Sequence, residues 1–239
     1  METINRFKKE KFKKVAILQS NYIPWKGYFD IISSVDEFII YDEVQYTKND
    51  WRNRNKIKTP FGVEWITIPI INKFGQSIRD VKAVGTIWKS KHWKTIVSNY
   101  KKTKHFPNIS EWLEPIYHEK LGDSLNEINC IFIKSICDYL EINTKISYSW
   151  DYPSSGNKTE RLLDICVQAG CNEYVSGPSA KSYLDEEIFT KNMINVSYFN
   201  YVGYREYPQK WGEFRHDVSI LDLLFNCGRE SYLYMKSSL

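Results

Sequence analysis

Short apolar runs alternate with amphipathic segments along most of the chain. "VAIL" (15–18) is four apolar residues without a polar interruption, the pattern of a strand buried on both faces. After Pro24, "WKGYFDIISS" sets apolar residues on one helical face. "DEFIIYDEV" (Asp36–Val44) predicts a second strand whose apolar centre runs into acids. "EWITIPI" (Glu64–Ile70) predicts a third, and "VKAV" (Val81–Val84) a fourth.

From residue 88 the period changes. "WKSKHWKTIVSNYKKT" carries Trp93, Ile96, Val97 and Tyr100 on one helical stripe, with its lysines largely off it. "NISEWLEPIYHEK" follows, broken or kinked at Pro115, then "DSLNEINCIFIKSICDYLEI", with Asp123 or Ser124 as its N-cap. These segments predict a helical insertion around residues 88–142, packed as a layer or a lid. Beyond it, "KISYSW" (Lys145–Trp150), "EYVSG" and "NVSYFNYV" read as strands. "NKTERLLDICVQAG" and "HDVSILDLLFNCG" read as helices closing on Gly170 and Gly228. The alternation predicts an α/β fold, a mostly parallel Rossmann-like sheet with helices on both faces. With 239 residues and no linker or repeat, a single α/β domain over 1–239 is expected, entered through a basic lead-in at 1–14.

Composition narrows the classes. The net charge of +4, from 33 basic and 29 acidic residues, gives no argument for DNA. No apolar run approaches the ~18 residues of a spanning helix, and the lead-in has no apolar signal region behind it. Five scattered cysteines, without a CxxC or a nearby histidine pair, predict reduced thiols, a cytoplasmic setting and no metal site.

In a parallel sheet, ligands meet the carboxyl ends of the strands. Four stretches should gather there. The first is the turn after "VAIL": Gln19, Asn21 and Tyr22 offer donors and acceptors, and Trp25 and Tyr28 flank Gly27, whose bare backbone lets a ligand or another backbone approach. The second, "YDEVQYTKNDWRNRNKI", carries Asp42, Gln45, Trp51, Arg52, Asn53 and Arg54. Arginine forks suit phosphate, tryptophan a planar ring, and a carboxylate at a strand end a proton or a hydroxyl. The third is the helix start at Lys158 and Thr159, a small anion site or an ordinary capped helix. The fourth joins Ser176, Gly177, Ser179 and Tyr183 to Gln209, His216, Asp217, Ser219 and Asp222. Of the four histidines, His216 is best placed for acid–base work, at a loop-to-helix junction beside acids. P-loop, GxGxxG, GxSxG and HExxH signatures are absent.

The blocks "QSNYIPWKGYF", "YDEVQ", "WRNRN", "KTERLLDIC", "YVSGPSAKSYL", "YPQ" and "VSILDLLFNCG" resemble, in order, those of the WbqC-like family. That resemblance implies a bacterial protein of O-antigen or other surface-polysaccharide gene clusters. It also implies transfer of an aminoacyl group such as glycine, or another acyl group, to an amino sugar. On this reading a nucleotide-linked amino sugar is the acceptor, with its diphosphate on Arg52, Arg54 and Lys158 and its base on Trp51 or Tyr22. Asp42 or His216 takes the amine proton. The donor stays open among an aminoacyl-tRNA, a carrier protein and a CoA thioester. The opening also resembles the first strand, loop and helix of the nucleotidylyltransferase group that includes pantothenate synthetase. Trp25 and Tyr28 replace that group's two histidines, so an ATP-dependent ligase or nucleotidyltransferase, with ATP as cofactor, is the second reading. A non-catalytic nucleotide-sugar-binding partner is the third.

Overall fold

The computed structural model describes residues 12–156 and 158–236. In chain order the strands are β1 (Lys14–Leu18), β2 (Glu37–Ile40), β3 (Arg54–Thr59), β4 (Gly62–Thr67), β5 (Ile70–Ile71), β6 (Lys82–Ala83), β7 (Lys145–Tyr148), β8 (Glu173–Ser176) and β9 (Asn195–Tyr198). The α-helices are α1 (Lys26–Ser33), α2 (Ile87–Tyr100), α3 (Phe106–Pro115), α4 (Leu125–Tyr139), α5 (Lys158–Gln168), α6 (Glu186–Lys191) and α7 (Ile220–Cys227). Five strands form one parallel sheet in the order β7-β2-β1-β8-β9. Counted along the sheet's own strands this is 3-2-1-4-5, the doubly wound Rossmann order.

Strand alternation sorts the core into two layers. Ala16, Phe38 and Ile40 face one cluster, with α1, α2, α3, α4 and α7 supplying Phe29, Ile96, Leu113, Phe132 and Phe225. Val15, Ile17, Ile39 and Tyr41 face the other, against Leu162 and Ile165 of α5 and Phe189 of α6. A parallel strand buried on both faces has to be apolar at every position, which is why "VAIL" carries no alternation. Among the described residues, no helix is long and apolar enough to cross a membrane. All five cysteines are buried and free.

The third and fourth predicted strands lie outside the parallel sheet. β3 and β4 form an antiparallel hairpin with register Thr59↔Gly62, and Gly62 takes a φ of 116° at its two-residue turn. Only Ile66 of β4 is buried, so the alternation of a strand with one wet face marks it, not the continuous run of a parallel strand. "VKAV" shrinks to two residues paired antiparallel with β5. Strand two stops at Ile40, which leaves Asp42 in the following turn. The helical insertion is no lid. Its last helix, capped by Ser124 as expected, buries Ile128, Asn129 and Phe132. Of the lead-in, residues 1–11 lie outside the described residues, as does Asn157, but Lys14 opens β1.

Lys13 belongs to the fold as well. Its Nζ reaches Glu37 at 2.6 Å, and Lys145 reaches the same carboxylate at 2.9 Å. Ser147 and Tyr152 also donate to Glu37, which is fully buried. One carboxylate therefore clamps the amino ends of β1, β2 and β7. Burial alone would raise the Glu37 pKa; the donors, led by Lys13, outweigh it and hold it down at about 2. Breaking a buried ion pair by removing one partner costs about 3–5 kcal/mol, so Glu37→Gln is expected to lower stability at pH 7 by about 3 kcal/mol. The native carboxyl titrates below its unfolded value of 4.5, so the clamp's contribution is complete above pH 4.5 and lost as pH falls through about 2. Urea denaturation of both proteins from pH 7 to 2 should give stabilities that converge towards acid; a constant gap would exclude the clamp.

Candidate functional site

The turn from Gln19 to Trp25 organises the site, and its backbone is under tension. Ile23, buried and β-branched, has a φ of 37°, in the left-handed region such a residue avoids. Several buried polar bonds pin it there. Asn55 Nδ2 donates to the carbonyls of Tyr22 at 3.0 Å and Ile23 at 2.9 Å. The Tyr22 amide donates to Trp51 O at 3.0 Å, and the Ile220 amide to Pro24 O at 2.9 Å.

Asp42 anchors the other end. It is fully buried, and its oxygens accept from the Ser20 amide at 2.8 Å, Ser20 Oγ at 2.6 Å and Asn126 Nδ2 at 2.6 Å. Asn129 of the same helix donates to Ser20 Oγ and to Arg52 O. Asp42 thus faces inward, its carboxylate occupied in holding strand end, turn and helical layer together. Burial raises its pKa against these bonds.

Two clefts flank the turn. The first, about 270 Å³, is lined by Asn21, Pro24, Trp25, Trp51, Asn55, His216 and Asp217. Trp51 and Trp65 lie 5.1 Å apart, with Lys56 Nζ 5.6 Å from the Trp51 centroid and 2.7 Å from Asp217. Arg215 also pairs with Asp217, at 2.8 Å. Those bonds hold the Asp217 carboxyl well below the usual carboxylate range, so it stays charged and occupied. His216 sits beside it; burial, then the nearby Lys26 ammonium, lower its pKa below 6.5 and keep the imidazole neutral at pH 7.

The second cleft, about 380 Å³, opens at the carboxyl ends of β1 and β8 and includes Gln19, Tyr41, Lys158, Ser176, Gly177, Ser179 and Tyr183. Arg52 stands between the two. Its guanidinium donates to Asn21 Oδ1, on the first cleft, and to Gln19 Oε1 at 3.1 Å, on the second. Asp50 is 3.8 Å away, a loose ion pair.

Other expected site residues serve the scaffold. Tyr22 is buried, its hydroxyl between His92 Nδ1 at 2.9 Å and Tyr117 at 2.7 Å. His92 Nε2 faces the Thr67 carbonyl, which only accepts, so that nitrogen carries the proton and Nδ1 accepts from Tyr22. Burial lowers the His92 pKa to about 4. Tyr28 donates to Gln19 O. Gly27 makes room for the indole of Trp25: a Cβ would stand 2.4 Å from its ring. Asn53 bonds Tyr46 and Ile68 O, Gln45 bridges to Ser77, and Arg54 lies over the Trp65 ring, 4.1 Å away. Gln209, Tyr100 and Tyr207 all donate to the buried Asp222, and Ser219 caps α7. Thr159 lies in the first turn of α5 next to Lys158. Tyr41, Tyr174 and Pro24 line the clefts without having been singled out. The position of Tyr41 at a strand's carboxyl end was the available signal; for Tyr174, buried in β8, the sequence carries none.

The family model of WbqC-like proteins matches residues 19–234, from the first polar residue of the pinned turn to the end of the last helical turn among the described residues. The chain belongs to the WbqC-like protein family. It is 54% identical over 226 residues to the uncharacterized protein Rv1507c of Mycobacterium tuberculosis, a match spanning 94% of this chain and 98% of that one. No solved structure matches. In this WbqC-like protein Asp42→Asn would turn an amide N–H₂ towards donors and leave buried groups unsatisfied, at about 2–3 kcal/mol. The thermal midpoint is expected to fall by about 5–10 °C. An unchanged midpoint would show that Asp42 does not anchor the turn.

Proposed function

We propose that this WbqC-like protein forms an amide, transferring an aminoacyl or acyl group to the amine of a nucleotide-linked amino sugar in surface-polysaccharide synthesis. The observation that carries this reading is Arg52, a half-buried guanidinium between two clefts of different character. A diphosphate at Arg52 joins a sugar on one side to a nucleoside on the other. The first cleft, at about 270 Å³, falls just below the roughly 300–1,000 Å³ of sites that hold a whole small ligand, but suits a sugar against the faces of Trp25 and Trp51.

In the reaction the amine nitrogen attacks the acyl carbon, and a C–N bond forms as the donor's C–O or C–S bond breaks. The bonding pair leaves with the oxygen or sulfur. The amine proton passes to neutral His216 and from there to the leaving group. Asp217 stays ionised beside His216 and favours the imidazolium that forms. His216, not the buried Asp42, is the base in this scheme.

Three outcomes are expected when nucleotide-linked amino sugars are incubated with aminoacyl and acyl ester or thioester donors and the amide product is read by mass spectrometry. His216→Gln should lower kcat by about 10²–10⁴. The wild-type rate should fall on the acid side below pH 6.5, where His216 takes up a proton, and this limb should vanish in the variant. Trp51→Ala should raise KM about tenfold with a smaller change in kcat. Undiminished turnover in His216→Gln would overturn its role. ATP-dependent product formation from a free carboxylic acid would favour a ligase.

A further inference from the structure

The second cleft lies where the winding of the sheet reverses. From β1 the chain crosses to β2 on one side, and from β8 to β9 on the other, so the loops leaving β1 and β8 diverge. That divergence opens a crevice at the strands' carboxyl ends. Its volume of about 380 Å³ falls within the range of small-molecule sites.

The lining has two chemistries. Tyr41, Leu162, Tyr174 and Tyr183 supply apolar and aromatic surface. Ser176, Gly177, Ser179 and Lys158 supply polar groups, and beyond the Gly177 Cα a Cβ would meet nothing within 4 Å, so backbone is bare to the cleft there. Among the described residues no carboxylate pairs with Lys158.

The hydroxyls of Tyr174 and Ser176 are the informative pair. Both residues are more than nine-tenths buried, both line the cleft, and they bond to each other at 3.3 Å. Two hydroxyls carry two protons, and their mutual bond uses one. The other has no acceptor among the described residues. A buried donor is normally satisfied, so this proton calls for an acceptor in the cleft.

We propose that this cleft is a nucleoside-diphosphate site. The nucleoside lies against Tyr41, Tyr174 and Tyr183 and accepts the spare hydroxyl proton of the Tyr174–Ser176 pair. The diphosphate runs past Gly177, Ser179 and Lys158 towards Arg52. The assignment rests on the transferase reading for what the diphosphate carries; the nucleotide contacts stand on the cleft alone.

Calorimetric titration of the full chain with ADP, UDP and dTDP, beside inorganic pyrophosphate and the free nucleosides, tests it. At least one diphosphate should bind more tightly than both of its halves. Tyr183 and Lys158 are exposed, so their variants should fold normally. Tyr183→Ala should weaken binding about tenfold, and Lys158→Ala should weaken it and reduce its salt dependence. Phe61→Ala, at the exposed hairpin tip, should leave it unchanged. Absence of binding by all three diphosphates, or undiminished wild-type affinity in Tyr183→Ala and Lys158→Ala, would overturn the assignment. The two readings fail separately. Diphosphate binding without amide formation would sink the transferase, while product formed at wild-type KM in both cleft variants would sink the nucleotide site alone.

Discussion

The hydrogen bonds of Asp42 with Ser20 are the constraint on which the rest of the site depends. Strand β1 must stop, turn and enter α1 within a few residues, and the turn includes a buried isoleucine at positive φ. Nothing in the local sequence favours that conformation. Asp42 holds the beginning of the turn from the neighbouring strand end, and Asn55 holds its middle from the hairpin. A buried carboxylate or amide in such a place is stabilising only while each oxygen and hydrogen has its partner, so the turn, the hairpin and α4 are interdependent.

That interdependence explains the unusual burial of polar groups around the site. Asn126 and Asn129 project from the apolar face of α4 because the turn beneath needs donors. The Tyr22–His92–Thr67 chain satisfies a tyrosine in the core with a histidine that burial keeps neutral. Asp222 collects Tyr100, Tyr207 and Gln209 in the same way and ties the segment before α7 to the helical layer. These networks fix where Trp25, Trp51 and His216 stand. The side chains that face the clefts can therefore be ordered without contacts from a ligand.

Electrostatics divides the labour between neighbouring acids. Asp217, paired with Lys56 and Arg215, stays charged at the cleft, while Asp42, equally acidic by type, is spent inside the fold. Arg52 and Arg54 separate by the same logic. Arg52 reaches the two side chains that border the clefts, whereas Arg54 lies on Trp65 two residues along the hairpin. One residue of strand alternation sends neighbouring positions to opposite faces, and two residues along a twisting hairpin carry a side chain away from the turn.

The parallel sheet was legible because burial on both faces demands uninterrupted apolar runs, and "VAIL" and "FII" supply them. Helix ends were legible from local chemistry, as with Ser124 and Gly170. The stretches that gather at the carboxyl ends of the strands followed from topology, which local patterns imply. The third expected strand, Glu64–Ile70, lies in an antiparallel hairpin outside the main sheet, because a short apolar run does not state its partner. What each polar residue does was beyond the sequence. Asp42 and His216 are both titratable groups beside turns, and only tertiary packing turns one carboxylate into the core and leaves one imidazole at a cleft. Local sequence sets which conformations are cheap for a segment; the direction a polar side chain faces depends on donors and acceptors that arrive from segments far along the chain.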